Sequence, residues 1–229
     1  LGDMFTEATA MLAKYNGVTG FGDTPTVAFF NYPITGLDNS TIRTAVNAWI
    51  ADPTQVQFTD ETNSPYYGPI WGWNTSQVTD MSSLFEGKGT FNDPLTSWDT
   101  TLVTNMSYMF NGCTDFNQPV SNFNTSRVTN MAQMFINCTN FNQSVSNFDT
   151  SLVTDMSNMF YGCTYFNQSV SNFDTSKVTN MAQMFSGCSI FNKSVSNFNT
   201  SLVTTMYAMF AFCTIFNQPV SNFNTSLVT

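Results

Sequence analysis

From Trp73 onward the chain repeats itself every 25 residues without an insertion or deletion. A fixed period of roughly 20 to 30 residues is typical of solenoids in which each repeat forms one coil. Six complete repeats and a partial seventh therefore predict a solenoid over residues 73–229. Each repeat opens with an aromatic marker: Trp73, Trp98, Phe123, Phe148, Phe173, Phe198 and Phe223.

The apolar positions within a repeat predict one short helix and one short strand per coil. In the third repeat the spacing i, i+3, i+4, i+7 indicates one face of a helix, formed by Met131, Met134, Phe135 and Cys138. Residues 141–148 follow as an extended stretch. The predicted fold class is an α/β repeat. It is a right-handed, leucine-rich-repeat-like solenoid with a parallel sheet and an N-terminal helical cap.

Invariant polar positions are interpreted as structural. A stacked Asn side chain can satisfy the backbone of the neighbouring coil at every tight corner. The invariant Asn residues are Asn92, Asn117, Asn142, Asn167, Asn192 and Asn217. The Thr that recurs from Thr75 to Thr225 suggests an ice-binding array, an alternative to a role in capping.

Five cysteines occupy one position of consecutive repeats. Their spacing of 25 residues does not match the closely spaced pairs of a zinc site. Stacking of the coils would place the Cα atoms of neighbouring cysteines within the distance range of a disulfide. Their side chains would be parallel, however, and this orientation does not suit the bond. Buried free thiols are predicted, and one or two ladder disulfides are the alternative. The residues are Cys113, Cys138, Cys163, Cys188 and Cys213.

Composition excludes several classes of function. The net charge is -9, with only 6 Lys and Arg, so the chain has no basic stripe for nucleic acid. It has no His and no carboxylate at one position of every repeat, and it lacks the common nucleotide, calcium and nucleophile motifs. We predict no enzymatic activity, no metal or other cofactor, and no membrane span.

The motif TSxVTxMxxMFxxCxxFNxxVSxF resembles the repeat of BspA-like leucine-rich-repeat surface proteins, including the mycoplasma-lipoprotein type. The resemblance covers residues 38–229 and includes the entry segment at 67–76, where Asn74 stands in place of the family's usual Asp. It implies an exported protein, extracellular or on the cell surface, with a role in adhesion or surface assembly and no enzymatic activity.

The N-terminal third is organised differently. An apolar stripe over residues 40–50 predicts the capping helix, with Asp38, Asn39 and Ser40 as candidate N-caps. We assign residues 38–72 to this cap and an entry loop. Residues 1–37 form a segment of unassigned fold. The pattern suggests a helix at 4–12 and a strand at 27–30 in that segment.

Both ends of the sequence suggest a processed or partial chain. It opens at Leu1 without the features of a signal peptide, and it stops within the seventh repeat. An apolar coil end formed by Phe210, Phe216, Val220 and Phe223 would then be covered by further repeats or by another chain. We therefore expect association through the C-terminal coils.

Variable positions with large apolar side chains are predicted to carry the function. They become denser toward the C-terminal coils, which indicates a patch for another protein chain or a copy of this one. The alternatives are that some pack against adjacent coils, or that exposed Tyr side chains bind glycans. The candidate partner-binding residues are Tyr108, Tyr161, Tyr165, Ile190, Tyr207, Phe212 and Ile215.

Sequons of the form N-x-[ST] are abundant because the repeat itself is rich in Asn, Ser and Thr. Those in the Asn ladder should be blocked by its hydrogen bonds. If the chain is secreted by a eukaryote, Asn39 and Asn105 are the candidate glycosylation sites.

Overall fold

The computed structural model describes residues 36–52 and 69–229. Regular secondary structure in these residues consists of helix α1, Ile42–Ala51, and a short 3-10 helix, Ile70–Gly72. Within residues 73–229 every repeat is built from turns, with neither a helix nor a strand. The elements suggested at 4–12 and 27–30 lie outside the described residues.

The predicted α/β solenoid, with a strand and a helix in each coil, is therefore wrong. In an α-helix each N–H donates four residues back. In the third repeat, alternate N–H groups instead donate to carbonyls of the next repeat. The N–H of Phe135, for example, donates to the Met159 carbonyl at 2.9 Å. The intervening N–H of Met134 donates three residues back, to Met131.

Left-handed backbone at two positions explains why no helix forms. Gln133 has φ 61 and Asn137 has φ 59, and the equivalent residues of every other complete repeat also have positive φ. A right-handed helix cannot contain such residues. The helical spacing of apolar residues is produced by turns instead. The predicted burial is nevertheless correct, and the side chains of Met131, Met134, Phe135 and Phe141 are 0% exposed.

Consecutive repeats stack in register. Single parallel bridges link equivalent residues from Asp80↔Asn105 to Asn180↔Thr205, without extending into strands. Equivalent rings stack face to face: the centroids of Phe110 and Phe135 lie 5.5 Å apart, with 6° between planes. Columns of Phe, Met and Val thus form one continuous core along the array.

Helix α1 covers the first coil. Trp49 is buried and meets Trp73 edge to face at 6.3 Å, and its indole N–H donates to Asp93 at 2.8 Å. The Asn39 side-chain oxygen accepts hydrogen bonds from the N–H groups of Thr79 and Asp80. In later coils, the N–H at the Thr79 position donates instead to a carbonyl of the preceding coil. This end of the array is closed by side chains.

The N-cap of α1 is Thr41 and not one of the predicted residues Asp38, Asn39 and Ser40, but Asp38 orders the turn that precedes the helix. Its carboxylate accepts hydrogen bonds from the backbone and hydroxyls of Ser40 and Thr41. These bonds, the Ser40 hydroxyl first, lower the pKa of Asp38 to about 2. The helix starts directly after this turn.

Replacing Phe135 with Ala should lower the free energy of unfolding by about 3–5 kcal/mol, because its ring is fully buried between two coils. Chemical denaturation measures the loss. Phe210→Ala is the matched control. Phe210 is half-buried, and its ring stacks on one equivalent ring, that of Phe185, whereas Phe135 stacks on two. Its replacement should therefore cost less free energy of unfolding. Equal losses at both sites would contradict this packing.

Candidate functional site

The invariant polar residues are used inside the array. The side-chain oxygen of Asn117 accepts the N–H of Asn142 at 3.0 Å, and the same bond recurs from Asn92 to Asn217. The predicted structural role of this ladder is confirmed. A second ladder was not foreseen: the Asn147 amide donates to the carbonyls of Val120 and Phe123 in the preceding coil.

The Thr ladder that suggested an ice-binding array is internal. Thr100 donates to the Asn124 carbonyl at 3.0 Å and accepts the Asn124 N–H at 2.7 Å. From Thr75 to Thr200, these residues are at most 2% exposed. They cannot form a flat exposed array, which removes the basis for that alternative.

The five cysteines are free, as predicted, and four of them are buried. Each thiol donates to a carbonyl 28 residues back, which the sequence did not indicate; for Cys138 the acceptor is the Phe110 carbonyl at 2.9 Å. Burial raises the pKa of Cys113 to about 12, that of Cys213 to about 11, and that of Cys163 well above its usual range. At neutral pH these thiols are therefore protonated and poor nucleophiles.

The carboxylates that align between repeats, those of Asp99, Asp149 and Asp174, accept hydrogen bonds within their own turns. Asp149 accepts the backbone N–H of Ser151 at 3.0 Å, and this bond, with the Ser151 side chain, lowers the Asp149 pKa. Within residues 36–52 and 69–229, no cluster of three His, Cys, Asp or Glu residues is placed to hold a metal ion. In the same part of the chain, no helix combines the length and apolar character needed to cross a membrane.

Three of the predicted partner-binding residues share one column of the array. Tyr165, Ile190 and Ile215 occupy equivalent positions of the fourth, fifth and sixth repeats, and we call them the apolar column. Tyr165 is 53% exposed and Ile215 51%, and Ile190 between them is half-buried. The first three repeats carry polar residues here: Thr90, Asp115 and Asn140.

The two most exposed large apolar side chains in the described residues lie in the sixth repeat. Phe212 is 80% exposed and Tyr207 is 74% exposed. Tyr161 is half-buried, four residues before the apolar column's Tyr165. Tyr108 belongs to a different position of the repeat, where its hydroxyl accepts a hydrogen bond from Gln133 at 2.6 Å. The predicted residues therefore concentrate in the C-terminal coils, with Tyr108 apart from them.

Charge is distributed unevenly along the array. All 15 acidic residues precede position 175, and only Lys177 and Lys193 are charged after it. The coils that carry Phe212 and Ile215 are thus nearly free of charge, although the chain has a net charge of -9. This uneven distribution is readable in the sequence once the repeats are aligned.

Other exposed apolar residues form a separate column and an end groove. Leu152, Leu202 and Leu227 share the variable position that was predicted to face outward, and all three are exposed. At the last complete coil, an open apolar groove of about 290 Å³ is lined by Met206, Ala208, Met209, Phe210, Ala211, Val220 and Phe223.

The two candidate glycosylation sites differ in their environment. The Asn39 amide nitrogen donates to Thr79 at 2.8 Å, so its side chain is held in the contact with the first coil. Asn105 is half-buried, and its side-chain oxygen accepts from Ser107. Glycosylation of either residue stays a prediction.

Alkaline pH should destabilise the protein through the thiol ladder. Free thiols in the unfolded chain ionise near the usual pKa of 9.0, whereas burial keeps the folded thiols protonated. The unfolded state then binds fewer protons, so the free energy of unfolding falls as pH rises from about 9 toward 12.

Cys163→Ala removes one such group and should make this decline shallower, by about 1.4 kcal/mol per pH unit at most. Denaturation at a series of pH values measures both slopes, and the neutral-pH stability of each protein serves as its own reference. Identical slopes would show that Cys163 does not retain its proton in the folded state.

Comparison with known proteins gives one family. No curated protein matches the chain, and no solved structure matches it. A family model described as "Mycoplasma protein of unknown function, DUF285" matches residues 54–152 and 142–229. This match agrees with the prediction of a repeat protein, but it does not extend to the more specific resemblance to BspA-like proteins. Because the matched stretches cover more than half of its length, the chain belongs to the DUF285 family of mycoplasma proteins of unknown function.

Proposed function

We propose that this chain is a non-catalytic structural or adhesion module, extracellular or on the cell surface, which mediates association between proteins. The observation that carries the proposal is the exposed, nearly uncharged apolar surface of the C-terminal coils. Tyr207, Phe212 and Ile215 are each more than half exposed in the sixth repeat, which has no charged residue. Large exposed apolar patches on a protein surface commonly mark interaction sites.

The composition of this surface suits a protein partner. The buried centres of protein interfaces are depleted in charged residues and enriched in aromatic residues and Met. Phe212 and Tyr207 supply the aromatic groups; their own repeat has no charged residue, and the preceding repeat has Asp174, Lys177 and Lys193. A nucleic acid or another polyanion would find little to bind on a chain with this charge.

Support for a non-catalytic role comes from how the polar groups are used. The Asn and Thr ladders bond the backbone of neighbouring coils, as Asn117 and Thr100 illustrate. The thiols are protonated at neutral pH, and Asp149 holds its own turn. Catalytic groups need a converging arrangement with free partners. Here the repetitive polar side chains stabilise the stack.

The surface location rests on the resemblance to BspA-like proteins, whose members are exported and implicated in adhesion or assembly. A stacked array suits that role because its repeats hold side chains at fixed intervals along one side. The apolar column is an example, with Tyr165 and Ile215 two coils apart.

Glycan binding is the second candidate function. Tyr165 is 53% exposed, and Asn140, at the equivalent position one coil earlier, is exposed too. An aromatic face beside an amide is a combination that can stack on a sugar ring and bond its hydroxyls. This reading depends on Tyr161 and Tyr165 and not on the sixth repeat.

Variants that use residues from equivalent repeat positions separate the two functions. Tyr161→Ser and Tyr165→Asn copy Ser186 and Asn140, while Tyr207→Ala and Ile215→Asn copy Ala182 and Asn140. Binding of each double variant to immobilised extracellular proteins and to a glycan array is measured by surface plasmon resonance.

If the chain binds proteins, the Tyr207→Ala/Ile215→Asn variant should bind protein at least tenfold more weakly than the wild type. The Tyr161→Ser/Tyr165→Asn variant should bind protein about as well as the wild type. Leu152→Gln, which copies Gln77 in a different column, is the matched control and should change nothing. Binding to glycans alone, lost in the Tyr161/Tyr165 pair, would replace this proposal by the second function. Binding to neither class would contradict both.

A further inference from the structure

Most Asn side chains of the array are used by the stack, but two neighbouring ones are not. Asn117 and Asn147 illustrate the ladders, whose side chains bond the backbone of an adjacent coil. The carboxamides of Asn137 and Asn140 make no hydrogen bond to another described residue, and both residues are exposed. They lie in the third repeat, which three complete repeats follow. Their exposure is therefore that of the side of the array and not of its end.

The Asn137 side chain lies over a glycine of the next coil. Its N–H donates to the Tyr161 carbonyl at 2.6 Å. A Cβ placed on Gly162 would lie only 2.5 Å from the Asn137 Oδ1 and 3.5 Å from the Asn137 Cα. Gly162 thus leaves the space that this carboxamide occupies. In the complete repeats the other occupants of the Asn137 column are four glycines and a phenylalanine, so the carboxamide is a feature of this one coil.

Asn140 lies beside a tyrosine of the same neighbouring coil. The Tyr165 N–H donates to the carbonyl of Thr139 at 3.2 Å, which joins the two coils directly next to Asn140. Tyr165 is 53% exposed, and Tyr161 is half-buried. Two free carboxamides of the third coil therefore border two tyrosines of the fourth. We call Asn137, Asn140, Tyr161 and Tyr165 the amide–tyrosine patch.

The chemistry of this patch suits a sugar. An exposed tyrosine presents an apolar ring face, which can pack on the C–H face of a pyranose, and a polar hydroxyl at its tip. A carboxamide carries two donors and one acceptor oxygen, so it can bond two adjacent hydroxyls of one sugar ring. A purely apolar ligand would cover both carboxamides without giving them hydrogen-bond partners, which is unfavourable.

We propose that the amide–tyrosine patch binds a neutral oligosaccharide, with one sugar ring on Tyr165 and its hydroxyls bonded by Asn137 and Asn140. This inference rests on glycan binding, the second candidate function, because it defines the site of that binding and the charge of its ligand. It is independent of protein association through the sixth repeat.

The charge around the patch favours a neutral ligand over an acidic one. Asp115 is exposed in the same column as Asn140, one coil earlier, where the Asn140 N–H donates to the Thr114 carbonyl at 3.2 Å. The third and fourth repeats together contain one cation, Arg127, and two carboxylates, in a chain of net charge -9. A uronic acid or sulfated sugar would therefore be repelled.

Isothermal titration calorimetry with cellohexaose, mannohexaose and chitohexaose tests the site, and hexagalacturonic acid is the acidic comparison. At least one neutral probe should bind the wild type, and more tightly than the acidic probe. Asn137→Gly copies Gly112 and should weaken that binding about tenfold or more. It should not lower the melting temperature, because Gly suits the left-handed backbone here, with φ 59. Tyr165→Asn, which copies Asn140, should weaken binding by a similar factor.

Gln77→Leu is the matched control. It removes an exposed carboxamide of the first repeat that also makes no hydrogen bond to a described residue, and it copies Leu102. Binding of the neutral probe should be unchanged in this variant. The NMR signals of the Asn137 side-chain amide give a direct readout. They should shift when the probe is added, which a purely structural role of Asn137 would not produce.

Three results would overturn the proposal: no neutral probe binds, the acidic probe binds more tightly, or Asn137→Gly binds as well as the wild type. Glycan binding that both Asn137→Gly and Tyr165→Asn retain would contradict this site and leave the second candidate function standing. If no glycan binds while the Tyr207→Ala/Ile215→Asn variant loses protein binding, the second candidate function fails as well, and protein association stands.

Discussion

The alternation of backbone hydrogen bonds governs this structure. Within the central part of a repeat, one N–H donates to the next coil and the following N–H closes a turn within its own coil. Phe135 and Met134 show the two kinds of bond. A chain that alternates in this way cannot be a helix or a continuous strand, yet it leaves few backbone groups without a partner. In the third repeat, Gln133 and Asn137 are two of the four residues whose N–H groups donate to the next coil, and both are left-handed.

Stacking then decides which side chains are available for function. Once coils lie in register, every inward position contacts its own equivalent above and below, so Phe, Met and Val columns become fixed. The corner positions are fixed as well, since Asn117 and Cys138 bond the backbone of neighbouring coils. The variable outward positions are free to differ between repeats. Differences between repeats are therefore concentrated at exposed positions, in more than one column.

The sequence was sufficient for the period, the buried columns, the Asn ladder and the free thiols, because each depends only on the equivalence of repeats. It was misleading for local structure. The spacing of Met131, Met134, Phe135 and Cys138 fits one face of a helix, but turns with left-handed residues bury the same four positions. A warning was present in the sequence: Gly recurs before the Cys position in four repeats, inside the segment read as a helix.

For the candidate surface, too, the sequence identifies the unusual residues, and only the structure gives their backbone conformation and exposure. Alignment of the repeats identifies Phe212 as a large residue at a variable position, but its backbone strain follows only from φ. The same is true of Tyr108, an aromatic residue with φ 59 at the other left-handed position of the repeat. The five equivalent Gly or Asn residues show how the fold fills this position without that cost. Comparison of the repeats therefore identifies the residue that departs from its column, and only the backbone shows that the departure also places a bulky side chain in a left-handed conformation.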